Sequence, residues 1–205
     1  MTKETLNPET RLLAAIAYGE SSTEDVYEEM AALASVMLRQ MKARGYSTLA
    51  SFTTKERTFS FVVSDGNERY AKLMKSSEAH IEKNAAMANA VKAAKNALSG
   101  GIDYSNGAYF WDGADIRSNY KKHFKVRHGI KFTNSDHNIY GIDESIKLVI
   151  KTKTTKKKIN GKLITKTEEV DRHDHIYDST AAHGGTIFWK HNTDYMRTTG
   201  AKEYK

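Results

Sequence analysis

Two runs of apolar residues at helical spacing, separated by one short break, fill the first 45 residues and restrict what this chain can build. Leu12, Leu13, Ile16 and Ala17 share one face of a segment from Pro8 to Gly19, and Pro8 suits a first helical turn. Val26, Met30, Leu33, Ala34, Met37 and Met41 form the matching stripe of a second segment, from about Glu24 to Arg44, with Gly45 as its stop. Glu24 and Asp25 then read as first-turn acids favoured by the helix dipole. Two amphipathic helices joined this closely are expected to bury their stripes against one another. The break Gly19-Glu20-Ser21-Ser22-Thr23, poor in helix formers, is predicted to lie where they meet.

Beyond Gly45 the periodicity changes. Phe52, Phe59, Phe61, Val62 and Val63 predict short extended pieces within residues 47–67, ending in a turn at Ser64-Asp65-Gly66-Asn67. An alanine-rich third helix is predicted over Ser77–Ser99, stopped by Gly100-Gly101, and an aromatic loop follows from Asn106 to Gly113. After Arg117 β-branched residues gather in Ser145–Thr152 and Lys162–Val170, and Asn160-Gly161 between them is a type I′ hairpin signal. Gly185-Thr186-Ile187-Phe188-Trp189 echoes Gly107-Ala108-Tyr109-Phe110-Trp111, and both strings are read as aromatic strands or loops lining one groove. The predicted class is α+β, with a mainly α core at about 8–116 and a basic β-hairpin elaboration in the C-terminal third. A length of 205 residues fits one domain over 1–205.

No stretch approaches the roughly 20 apolar residues that a membrane span needs, and Met1 to Thr10 is polar. The expectation is a chain made in the cytoplasm without a Sec signal and with no membrane span. The absence of cysteine excludes disulfides and thiolate chemistry. Thirty-two Lys and Arg against 25 Asp and Glu favour a polyanionic partner, and Lys151 to Lys166 is lysine-rich and free of acids. That segment reads either as a charged strand pair that resists edge-to-edge association or as a clamp on an anionic surface. Nucleic acid is the weaker partner, because the lysines are not interleaved with aromatic rings. Asp171-Arg172-His173-Asp174-His175 offers His-x-His, but no third ligand stands at a characteristic spacing. It reads as a solvated polar turn, and neither metal nor cofactor is expected.

Glu20 closes an apolar helix, where burial and the C-terminal dipole both disfavour its ionised form and raise its proton affinity toward that of a general acid. The alternative is a solvated glutamate in a helix-ending turn. On a helical wheel Glu28 falls opposite the Met30/Met37 stripe and faces water, whereas Glu29 falls at its edge and can face a groove.

Arg11-Leu12-Leu13-Ala14, Tyr18-Gly19-Glu20, Tyr27-Glu28 and Ala32 to Leu38 together resemble the opening of the spore-cortex-lytic, cell wall hydrolase family. Phe59 to Gly66 and Gly107-Ala108-Tyr109-Phe110 resemble its two later motifs, in the same order, so that the likeness covers about Arg11 to Trp111. The resemblance implies a lysozyme-like, mainly α core in which Glu20 protonates the MurNAc–GlcNAc β-1,4 linkage of peptidoglycan glycan strands. It also implies bacteriolytic action in the periplasm or cell wall of a target bacterium; without a signal peptide, such a hydrolase is expected to arrive through secretion machinery, with an immunity protein in the producer, through a phage holin, or as a fragment of a larger protein. Lytic transglycosylases of that family need one glutamate, because the substrate's own 6-hydroxyl attacks. This chain departs from the family pattern in carrying Ser21 to Asp25 after Glu20 and Arg39-Gln40 near the end of the second helix. The departure leaves Glu29 as the candidate water-activating base of a true muramidase. For the sugar, Phe59, Ser60, Tyr109 and Trp111 are the candidate substrate-binding residues, with Phe61, Phe110 and Asn106 beside them, since sugar rings stack on aromatic planes.

Overall fold

The computed structural model describes residues 6–56 and 62–205. Helix α1 (Pro8–Glu20) starts at Asn7, whose side chain accepts from the Glu9 N–H, and Pro8 occupies its first turn. Residues 13–18 are all buried, so this helix is covered on every side and not only on the predicted face. Helices α2 (Tyr27–Ala43), α4 (Glu68–Lys75) and α6 (Ala85–Leu98) surround it. Alanines permit the close approach: Ala14, Ala15 and Ala17 meet Ala31, Ala32, Ala34, Ala90, Ala93 and Ala94 in one core with Leu13, Met30, Leu33 and Met37.

Several boundaries differ from the sequence expectation. Helix α2 begins at Tyr27, because Asp25 adopts a left-handed backbone (φ +56°) and gives its carboxylate to Arg69; neither it nor Glu24 is a first-turn acid. Residues 49–55, expected to be extended, form helix α3 (Leu49–Lys55), capped by Thr48 and held by the burial of Leu49 and Phe52. Tertiary packing overrides the strand preference of its Thr and Phe residues. Phe59, Ser60 and Phe61 lie outside the described residues. The single alanine-rich helix expected over 77–99 is two, α5 (Glu78–Lys83) and α6, divided at Asn84, which leaves the helical backbone to accept from the Met87 N–H.

The C-terminal half supplies β1 (Phe110–Asp112), β2 (Ile130–Lys131), β5 (Tyr177–His183) and β6 (Thr186–His191), ordered β1-β6-β5-β2. The two aromatic strings that echo one another are neighbouring antiparallel strands, with Phe110 opposite Trp189 and Trp111 opposite Phe188. They do not line a groove together. Alternation sends Phe188 into the helical core, while Ile187 and Trp189 join a second core on the far face, with Ile116, Val126, Ile130 and Tyr177. Phe188 and Trp189 are fully buried. Short helices α7 (Asp115–Ser118) and α8 (Phe124–His128) lie in the layer beyond that face.

Strands β3 (Val149–Ile159) and β4 (Lys162–His173) make the predicted basic hairpin as a separate two-stranded sheet, so the fold is α+β. Asn160 (φ +48°) and Gly161 (φ +78°) supply the two left-handed residues that a type I′ turn needs. The base is tied to α9 (Thr193–Thr199): the Lys151 ammonium donates to the Thr198 carbonyl at 3.0 Å, and Arg197 pairs with Asp171. The segment expected as a solvated turn is half interior. His173 and His175 are buried, and His175 bridges Asp174 and Asp178, the latter at 2.8 Å. No described helix is long and apolar enough to cross a membrane.

Candidate active site

Glu20 is the last residue of α1, where the helix stops because Ser21 turns extended and donates its N–H back to Ala17. The corner is latched from α4, a helix the sequence reading missed. Asn67 donates to the Gly19 carbonyl at 3.1 Å, and Arg69 donates to the Tyr18 carbonyl, Ser21 Oγ and Asp25 while its guanidinium lies 3.9 Å over the Tyr18 ring. Gly19 allows this approach, since a Cβ there would stand 2.6 Å from a Val62 methyl. Across the corner, Trp111 reaches from β1 and donates its indole N–H to Glu20 Oε2 at 3.2 Å. Burial pushes the Glu20 carboxyl up to about 7, against the Trp111 hydrogen bond, which lowers it. An acid of this kind still carries its proton in about half of the molecules at pH 7 and can give it to a leaving group.

Glu29 occupies a different situation. It is 0% exposed and accepts from Ser22 N (3.0 Å), Ser22 Oγ (2.7 Å), Gly185 N (3.2 Å) and Thr186 Oγ1 (2.7 Å). The carboxylate joins the loop after Glu20 to the tight turn between β5 and β6. Gly184 (φ +52°) is required there, because a Cβ would fall 2.3 Å from Glu29 Oε2. Tyr140 completes the joint by donating to the Gly185 carbonyl at 2.5 Å. A carboxylate enclosed by four donors has no face left for a water to be activated, so the geometry gives Glu29 a positioning role and not that of a base. Glu28, expected to face water, is only half exposed. A Gly-Gly pair before a β-branched run was the signal available for the turn; nothing local marked its contact with Glu29.

The aromatic segment is fixed by α2. Arg39 donates to Ser105 Oγ, to Asp103 and to the Ala108 carbonyl, and buried Gln40 donates to the Tyr109 carbonyl at 2.8 Å. The Arg39-Gln40 pair, read as a departure from the family pattern, is thus what anchors this loop. Trp111 turns toward Glu20, and Phe110 turns away to pack on His191 (4.8 Å between ring centroids). Tyr109 is half-buried, with its hydroxyl on Glu203 and Arg39 beside its ring. Exposed Asn106 (φ +49°) donates to the Thr180 carbonyl. Of the predicted substrate-binding residues, Trp111 is the one brought against Glu20; Phe59 and Ser60 lie outside the described residues.

One group unforeseen in the sequence stands on the opposite sheet face. Asp112, Asp115 and His123 bring ligand-type atoms within 4.8 Å of one another. His123 Nε2 lies 3.3 Å from Asp112 and 3.4 Å from Asp115, and Lys125 donates to Asp112 at 2.8 Å. Hydrogen bonding to Asp112, then to Asp115, raises His123 to about 9, so the cluster holds two cations against two carboxylates. Asp112 Oδ2 and His123 Nδ1 remain buried without a hydrogen-bond partner.

The chain matches no family model, no curated protein and no solved structure.

Proposed function

We propose that the protein is a peptidoglycan glycosidase in which Glu20 is the general acid for the MurNAc–GlcNAc linkage. The observation that carries this reading is a largely buried carboxyl at the α1/α2 corner, raised to about 7, with an indole beside it. Cleavage of a β-1,4 linkage requires a proton on the departing oxygen while positive charge develops at the anomeric carbon. Glu20 supplies that proton, and the Trp111 N–H steadies the carboxylate left behind. Trp111 is also the aromatic ring beside the acid, and sugar rings stack on aromatic planes.

The enclosure of Glu29 favours the lytic transglycosylase route over hydrolysis by activated water. In that route the 6-hydroxyl of MurNAc attacks its own anomeric carbon, the glycosidic C–O bond breaks, and the hydroxyl proton returns to Glu20. No second carboxylate and no water enter. Purified sacculi digested with the protein are expected to release muropeptides with 1,6-anhydro ends, read by mass spectrometry. Glu20→Gln is expected to fold normally and release at least about 100-fold less. Free reducing ends would favour the muramidase reading, and undigested sacculi with a folded parent protein would end the glycosidase reading altogether.

A further inference from the structure

The β3–β4 arm serves no part of the chemistry proposed above. It is exposed from Val149 to Val170 and, at eleven residues of β3, reaches roughly 35 Å from its base. A lone two-stranded hairpin gains little from its own packing. Its tip nevertheless carries three aliphatic side chains in water, Ile159 at 44%, Leu163 at 66% and Ile164 at 48% exposure. The pairing of Lys158 with Leu163 and of Lys157 with Ile164 puts Leu163 on one face and Ile164, with Ile159, on the other. Lys157, Lys158 and Lys162 surround them, and Lys153, Lys156 and Lys166 stand one step back along the strands. The acids are nearer the base and already engaged, Glu168 with Lys166 and Glu169 with Arg172.

We infer that this arm docks end-on at an anionic lipid bilayer, its aliphatic tip entering the acyl boundary while the lysines meet lipid phosphates. Charge alone would suit any polyanion, but a nucleic acid or a glycan gains nothing from exposed aliphatic side chains. From Val149 to Arg172 the arm has no aromatic ring on which a base or sugar could stack, and its one arginine is at the base. Apolar groups on both faces of the last turn rule out a flat approach, since either face laid down would leave one of them in water. A bilayer takes both chemistries at one depth. The inference rests on the arm alone and stands whether or not Glu20 cleaves sugar.

Vesicle co-sedimentation of the full chain tests it, using equal parts phosphatidylglycerol and phosphatidylcholine against phosphatidylcholine alone. Binding is expected only with the anionic vesicles. The triple variant I159S/L163S/I164S, with every lysine kept, is expected to bind at least about tenfold more weakly. K157S/K158S/K162S is expected to lose about a hundredfold. Every changed side chain points into water, and unaltered far- and near-ultraviolet circular dichroism spectra together confirm that the arm and the body of the variants are folded. Three results each overturn the inference: no sedimentation with anionic vesicles, undiminished binding by the aliphatic variant, or tighter binding to duplex DNA or to teichoic acid than to the vesicles. An inactive parent that still binds vesicles would separate failure of the glycosidase reading from failure of this one.

Discussion

At Glu20 two influences act on one carboxyl in opposite senses: the buried corner holds the proton on, and the Trp111 N–H favours its loss. The balance near 7 sets the pH at which a general acid of this kind runs out of protons. Sacculus digestion is therefore expected to fall as pH rises through about 7. Trp111→Phe removes the influence that lowers the value, so the alkaline limb should move to higher pH even as the rate drops through weaker sugar contact. A pH–rate profile of both proteins checks this, and an unmoved limb in the variant would mean that the indole does not act on the acid. The end of α1 made Glu20 legible in the sequence, because helical periodicity and its interruption are local signals. Its partner Trp111, 91 residues away, carried no such signal beyond belonging to an aromatic loop.

Among the elements, the β5–β6 turn has the most leverage over the site for its size. Gly184 and Gly185 lie against Glu29 and Ser22, and Ser22 is two residues from Glu20. Gly184→Ala adds a methyl at a left-handed backbone position and drives it into the Glu29 carboxylate, and is expected to cost about 2 kcal/mol or more in chemical denaturation. Glu29→Gln places an amide N–H₂ among four donors and should cost about 1–3 kcal/mol. Any activity that survives should keep the parent's alkaline limb, since positioning and not proton affinity has changed. A Glu29→Gln protein as stable as the parent would dismiss the positioning role of Glu29. The elements read correctly from sequence share one property, a pattern carried by residues that neighbour one another along the chain: the α1 and α2 stripes, and Asn160-Gly161 between β-branched runs. Those misread depend on distant partners. Leu49–Lys55 becomes a helix by burying Leu49 and Phe52, and Asn84 divides an alanine run that propensity alone would continue.

For the molecule as a whole, the raised values of Glu20, His123 and His175 each make stability fall as pH rises, while the lowered values of His137 and His191 act in the opposite sense below about 6.5. Glu20 binds its proton more tightly folded than unfolded, up to about 7 from an ordinary 4.5. The folded state is therefore favoured at low pH and loses that advantage as pH rises through this interval, by an amount on the order of 2 kcal/mol above pH 7. His123, held between Asp112 and Asp115, is raised from 6.5 to about 9, so its contribution is complete below pH 6.5 and disappears as pH passes 9. Urea midpoints should thus decline in two successive steps, the first between about pH 4.5 and 7 and the second between about 6.5 and 9. Glu20 dominates the lower step, and His123 shares the upper one with His175, which Asp178 and Asp174 raise in the same sense. Glu20→Gln should abolish the lower step and leave a protein more stable than the parent at pH 8, in keeping with a site that sacrifices stability for a proton held ready. His123→Gln should shrink the upper step to the part that His175 contributes, and weaken the protein at pH 6, where the charged imidazole binds the layer beyond the sheet to β1. A Glu20→Gln protein less stable than its parent at pH 8 would mean that the carboxyl is not strained by its surroundings, and the general-acid role would lose its physical basis.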